Sequence, residues 1–324
     1  MIRSYKIENQ YLKIKTLNIG ASLFEVFDKK KKINLILNLG SQKNYLRNKA
    51  YLGSTCGRFA NRIRNASFVL NKKKYFLSQN EGSNILHGGK NSFSNKIWNL
   101  IHHKKNSIKY HYFSKHLEEG FPGNLNCFCE YSLIDREIFI TMFAKTDLST
   151  HVNLVNHAYW NLNRNKDLIF NHHVLINADQ YLENNHQNIP TGKKINVEDT
   201  PFDFRNAKVI GKDINADDEQ LQLGKGYDHN FVLKNKPNHD LIEAANVYEP
   251  NSGRTLTVYT EEPAVQFYSG NFLDGSSKQA SGLVHKLRSG FCLEPQHFPD
   301  APNQPRFPST TLLPGEVYST RIVY

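Results

Sequence analysis

The chain has 324 residues, of which 39% are hydrophobic and 22% charged, with a formal net charge of +11 and a pI near 9.3. Its longest apolar runs fall far short of the ~20 residues a membrane helix needs, and the N-terminal MIRSYKIENQYLKIKTLNIG lacks the apolar core of a secretory signal. Neither membrane insertion nor export is expected, and a cytoplasmic location is the default. The lysine clusters at 29–32, 72–74 and 104–105 sit in short turn-like connections, with no basic helix and no RNP-like aromatic motif, so nucleic acid is not an expected partner either.

Period-two or short apolar runs bounded by turn residues recur along the whole chain. They include LKIKTLNI and SLFEVFD near the start, SIKYHYF, EYSLID and EIFITMFAK in the middle, and LTVYT, AVQFYSG and VYSTRIVY towards the end. This is the pattern of an all-β protein. Asp135-Arg136, between EYSLI and EIFITMF, marks an antiparallel hairpin with one face buried. Helical periodicity is confined to a turn or two at 217–223 and around 58–63. Residues 178–230 carry Gly, Pro, Asp and Asn and read as long structured loops, the places where a rigid β scaffold usually builds its sites. No repeat of 20–50 residues and no compositional break appears, so a single large antiparallel β-sandwich, one domain over residues 1–324, is expected.

Several chemistries lack their signatures. Cys127 and Cys129 form C-x-C, without the C-x-x-C spacing or second pair of a zinc site, and Cys56 and Cys292 stand alone. Reduced thiols are expected in a cytoplasmic protein. The histidine pairs 102–103 and 172–173 occupy adjacent strand positions that face opposite ways, so neither pair can chelate. No metal or other cofactor is expected. Gly89-Lys90-Asn91 ends like a P-loop, but residue 84 is Asn where the opening glycine belongs and residue 91 is neither Ser nor Thr. Gly224-Lys225-Gly226 begins like a dinucleotide fingerprint but has His229 at the third glycine position, outside any βαβ pattern.

Six segments are denser in polar and Gly residues than strands or turns require: GRFANRI (57–63), NILHGGK (84–90), NLVNHAYWNL (153–162), GYDHNF (226–231), VQFYSGNFLDG (265–275) and GFCLEPQHFPDAPNQPRFPS (290–309). In the last, Phe291, Cys292 and Leu293 read as the end of a buried strand that Pro295 stops, which puts Glu294 at a strand end. Five of the chain's twelve prolines then fall within fourteen residues, and such a stiff loop loses little entropy on ordering. On the residue alone, a chemically used carboxylate and an idle surface one fit equally. His157 lies amid Asn153, Asn156, Tyr159, Trp160 and Asn161. Such rings and amides suit a sugar, whose C–H faces stack on aromatics while its hydroxyls take planar partners. A core histidine satisfied by its neighbours fits that position as well.

Taken in order, the six segments closely resemble the aldose 1-epimerase (galactose mutarotase) family over nearly the whole chain. The resemblance implies a large β-sandwich and interconversion of the α and β anomers of free aldoses such as galactose and glucose. It implies Glu294 as the base that takes the C1-hydroxyl proton and His157 as the acid that protonates the ring oxygen. It further implies that Asn61, Arg62, His87, Asp228 and Gln266 line the sugar pocket, with no cofactor. Val155 stands where family members commonly have Thr, and Pro295 replaces a frequent Thr, though neither position transfers a proton. The chemistry needs one proton removed and one added, so a single acid–base pair suffices. On that scheme the free enzyme needs Glu294 ionised and His157 protonated, and the basic limb of a pH profile belongs to the histidine. A glycoside hydrolase, which needs two carboxylates flanking the bond, would require Asp228 opposite Glu294. A sugar-phosphate epimerase would require further Arg or Lys aimed at a phosphate. The sequence does not separate a monomer from a homodimer.

Overall fold

The computed structural model describes residues 1–166, 168–234 and 240–324. Two antiparallel sheets organise it. The larger runs, in spatial order, through Asn99–His103, Ser107–Ser114, Leu125–Ile134, Glu137–Thr146, Tyr318–Val323, Arg254–Thr260, Ile242–Glu249, His173–Ile176 and Lys208–Val209. The smaller runs through Pro190–Asn196, Ala178–Asn184, Asp228–Leu233, Ala264–Tyr268 and Cys292–Gln296. Alternation along each strand sends every second side chain inward. Ile140, Met142, Val247 and Val258 from the larger sheet therefore join Tyr181, Phe231, Val265, Phe267 and Leu293 from the smaller one in a single buried cluster. This is the expected sandwich. The hairpin read from Asp135-Arg136 is present, with Ile134 opposite Glu137 and Asp135 at φ +49°. A further four-stranded sheet (Ser4–Glu8, Leu12–Leu17, Ser22–Asp28, Ile33–Asn34) adds Ile7, Ile14, Leu23 and Val26 to the same core. No helix among the described residues is long and apolar enough to cross a membrane.

Three local expectations need correction. Residues 178–230 are not mainly loop, since they supply three strands of the smaller sheet's five, Ala178–Asn184, Pro190–Asn196 and the start of Asp228–Leu233, besides the helix Glu219–Gly224. Pro190–Asn196 escaped notice because it is an edge strand with exposed lysines and Gly192 in place of an apolar alternation. The segment 58–63 makes no helical turn, because its backbone is taken by distant partners. Ala60 N–H donates to Asn153 O (2.7 Å) and Asn153 N–H to Arg58 O (3.1 Å). Finally, Pro295 does not stop its strand. Cys292–Gln296 is an edge strand whose one ladder neighbour in the sheet is Ala264–Tyr268, and a residue without an N–H is tolerated there. Glu294 thus sits mid-strand. The proline-rich loop beyond it packs, with the Phe298 and Phe307 rings edge to face at 5.0 Å and buried with Leu182 and Ala264.

Candidate active site

The smaller sheet supplies the floor. Asp228 lies opposite Tyr268, Gln266 opposite Glu294, and Tyr268 opposite Cys292, so these five side chains share the face turned away from core residues Phe231, Phe267 and Leu293. Gln266 Nε2 donates to Asp228 Oδ1 at 2.7 Å. The Tyr268 ring stands edge to face with Tyr159 at 5.9 Å.

One wall comes from two segments that pair with each other. Arg62 and Ile63 form a short ladder with Leu86 and Ile85, and Asn80 clamps it by hydrogen-bonding both the Leu86 N–H and C=O. His87 N–H donates to Asn61 O, and Asn61 N–H donates back to His87 Nδ1 at 3.2 Å. A ring nitrogen that accepts carries no proton, so neutral His87 presents its proton on Nε2. Burial first, then His157 and Arg62, hold its pKa well below 6.5, which keeps it a neutral donor. The following Gly88 (φ +85°) has no substitute, since a Cβ there would stand 2.0 Å from Gly57 O. Arg62 is anchored from outside by two charge-assisted bonds to Glu81, at 2.7 and 2.8 Å, and lies 4.0 Å from Asp228. Burial opposes its charge, but Asp228 and Glu81 outweigh that and raise its pKa.

His157 is held by its own backbone. Its N–H donates to Ser54 O and its C=O accepts from Gly53 N–H, while Asn156 Nδ2 bonds Gly53 O and the Tyr131 hydroxyl. Asn153 ties this segment to the base strand by accepting from His297 N–H. The result sets His157 Nε2 3.5 Å from Glu294 Oε1, both side chains buried. Tyr51, His87 and Tyr159 surround the imidazole at 6.0, 5.2 and 5.0 Å between ring centres.

All seven residues singled out in the sequence, Asn61, Arg62, His87, His157, Asp228, Gln266 and Glu294, line one cavity of about 510 Å³. The sequence did not pick out Glu81, Tyr51, Tyr268 or Phe272 in the same cavity. Glu81 had a weak signal in its place just before the NILHGGK segment, Tyr268 and Phe272 lay within VQFYSGNFLDG without being picked out, and Tyr51 had no signal that separated it from core aromatics.

Desolvation governs the electrostatics. Burial, reinforced by the charge of Asp228, raises Glu294 well above 4.5, and burial lowers His157 to about 4. Both shifts favour the uncharged forms, so the pair's proton is placed preferentially on the carboxyl. This reverses the assignment of limbs read from the sequence. The pair loses its single proton from Glu294 at high pH and gains a second on His157 at low pH. Asp228 is raised above its ordinary value, chiefly by burial, with Arg62 and Gln266 opposing only part of the rise.

A family model described as aldose 1-epimerase matches residues 3–324. Galactose mutarotase from Homo sapiens is 38% identical over 321 residues, covering 98% of this chain and 92% of that protein. Aldose 1-epimerase from Escherichia coli K12 is 37% identical over 292 residues, covering 89% and 84% respectively. Among solved structures, an aldose epimerase homologue from C. elegans superposes with a TM-score of 0.92 at 30% identity, covering 100% of this chain and 98% of that one. Galactose 1-epimerase from Lactobacillus acidophilus gives 0.85 at 27%, covering 100% and 97%. The chain belongs to the aldose 1-epimerase family and is a mutarotase, a carbohydrate isomerase.

Proposed function

We propose that the cavity binds free aldohexoses such as galactose and glucose, with Glu294 as general base at the C1 hydroxyl and His157 as general acid at the ring oxygen. The observation that carries this reading is the 3.5 Å approach of His157 Nε2 to Glu294 Oε1 inside a cavity lined by aromatic rings and amide, guanidinium and carboxylate groups. Ring opening starts from the minor arrangement of the pair, carboxylate and imidazolium, reached when the carboxyl proton passes from Glu294 to His157. Glu294 takes the O1 proton, His157 gives its Nε2 proton to the ring oxygen, and the C1–O5 bond breaks to leave the open aldehyde with both groups neutral. That neutral pair is the form burial favours, so the site is electrostatically matched to the open-chain intermediate. Rotation about C1–C2 then presents the other carbonyl face, and the two proton transfers run in reverse.

Asn61, Arg62, His87, Asp228 and Gln266 hold the hydroxyls remote from C1. Asp228 is already engaged by Gln266 and Arg62, which favours a binding role over that of a second glycosidase carboxylate. The cavity draws on residues from Leu39 to Glu294, which supports reading 1–324 as one working domain. Four free, buried cysteines fit the reducing cytoplasm in which we place the enzyme. The test is polarimetry on freshly dissolved α-galactose, α-glucose and glucose 6-phosphate. Acceleration of the two free sugars is expected, and a preference for the phosphate would overturn the substrate assignment.

A further inference from the structure

Behind the reacting pair lies a closed circuit of hydrogen bonds that joins the base strand to the segment carrying the acid. It is built on Glu262, a buried carboxylate just before the strand Ala264–Tyr268. Glu262 Oε2 accepts from His297 Nδ1 at 2.6 Å, and Oε1 accepts a longer bond, 3.5 Å, from the Tyr318 hydroxyl. His297 directly follows the Glu294 strand, and its N–H donates to Asn153 Oδ1 at 3.0 Å. The Tyr318 hydroxyl accepts from Leu154 N–H at 3.1 Å. Asn153 and Leu154 are adjacent, so the circuit closes three residues after Glu294 on one side and three before His157 on the other. All five residues stand outside the sugar cavity.

The charges of the central pair sustain each other. Burial opposes the Glu262 carboxylate, but His297 and the hydroxyl bonds outweigh it and hold its pKa below 4.5. Burial likewise opposes protonation of His297, and Glu262 outweighs that and raises its pKa above 6.5. The circuit also completes a pattern. Ahead of Glu294, the backbone of Phe291 is tied to the acid segment by two bonds with Trp160, at 2.7 and 3.0 Å. Beyond Glu294 the strand is an edge, and Pro295 has no N–H to offer a neighbour. The circuit makes the second tie there, so the reacting pair is held between two ties.

We propose that Glu262 and His297 are positioning residues for mutarotation, which fix Glu294 against His157 through this circuit and act on the chemical step instead of on sugar binding. The proposal rests on the acid–base reading of Glu294 and His157. Its size follows from the reaction, since a misplacement of about 1 Å between reacting groups can cost on the order of 10²-fold in rate.

The test is polarimetric kcat and KM for α-galactose, measured well below the melting temperature of every variant. Glu262→Ala is expected to lower kcat by about tenfold or more and to leave KM within about threefold of wild type. Glu262→Gln should recover most of that loss, because its amide oxygen still accepts from His297 Nδ1–H and its amide nitrogen can donate to the Tyr318 hydroxyl. In a Glu294→Gln background, Glu262→Ala should cost little further kcat, because the residue it positions no longer takes the proton. If Glu262→Ala fails to fold, His297→Ala decides, since it keeps the backbone bond to Asn153 and should still lose kcat with KM retained. A kcat near wild type in either folded alanine variant overturns the proposal. So does a loss that appears in KM, an equal loss in Glu262→Gln and Glu262→Ala, or full additivity with Glu294→Gln. The two readings fail differently: Glu294→Gln with an intact kcat removes the acid–base assignment and the positioning role with it, whereas a crippled Glu294→Gln beside unaffected alanine variants removes the positioning role alone.

Discussion

Replacing Asp228 by Ala should change both affinity and acid–base behaviour, and the structure gives the size of each effect. The carboxylate is buried, accepts from Gln266 Nε2 at 2.7 Å and lies 4.0 Å from the Arg62 guanidinium. A sugar hydroxyl donating to it makes a hydrogen bond to a charged group, worth about 1.5–3 kcal/mol. That corresponds to a loss of roughly tenfold to 150-fold in kcat/KM, before the cost of leaving Gln266 Nε2 unpaired. The charge of Asp228 also raises Glu294, so its removal must lower the Glu294 pKa and move the basic limb of the pH profile to lower pH. Asp228→Asn keeps a planar acceptor without the charge, so the limb should shift by the same amount while the affinity loss is smaller. The ratio of galactose to glucose should narrow in Asp228→Ala, because a group that touches only hydroxyls remote from C1 cannot serve both C4 epimers equally. Polarimetric kcat/KM for both sugars, across pH, in three proteins provides the data. A loss of affinity without a limb shift would refute the electrostatic link, and no change in either would remove Asp228 from the site.

Other perturbations follow from the same geometry. The wild-type pH profile of kcat/KM should be bell-shaped, with an acid limb near 4 and a basic limb well above the carboxylate range, and a flat profile across both would contradict a shared proton. Because the folded Glu294 pKa is raised, its contribution to stability is complete below the unfolded carboxyl range and is lost as pH rises through the folded value. Glu294→Gln should therefore have an increasing Tm advantage over wild type as pH rises, measured calorimetrically, and a gap that shrinks with pH would reverse the sign. Glu81→Gln should raise KM more than it lowers kcat, since it frees Arg62 without touching the reacting pair, and an effect confined to kcat would place Glu81 elsewhere in the mechanism. Exhaustive dialysis against EDTA should leave mutarotation intact, and loss restored by a divalent ion would show that the reaction itself uses a metal.

What the sequence revealed divides along physical lines. Strands with one buried and one exposed face announce themselves by alternation, as Leu125–Ile134 does, and so the sandwich was legible. Pro190–Asn196 was not, because an edge strand with little to bury has no alternation to show. The placement of Glu294 at a strand end failed because a proline's effect depends on which side of the strand is open, and edge position is a tertiary fact. The six polar segments named the residues that meet in the cavity. Glu81, whose contact with Arg62 depends on the side-chain path between residues 19 apart, and Cys292, whose nearness to His157 depends on packing between distant segments, became visible only in the fold.

The central claim is that Glu294 and His157 exchange one proton with the sugar, and it is tested most directly by the kcat for α-galactose mutarotation in Glu294→Gln and His157→Asn, with folding verified by circular dichroism. A positioned proton-transfer group contributes about 10²- to 10⁴-fold, so each variant should lose that much in kcat while sugar binding suffers less. A kcat within a few-fold of wild type in either folded variant would contradict the account.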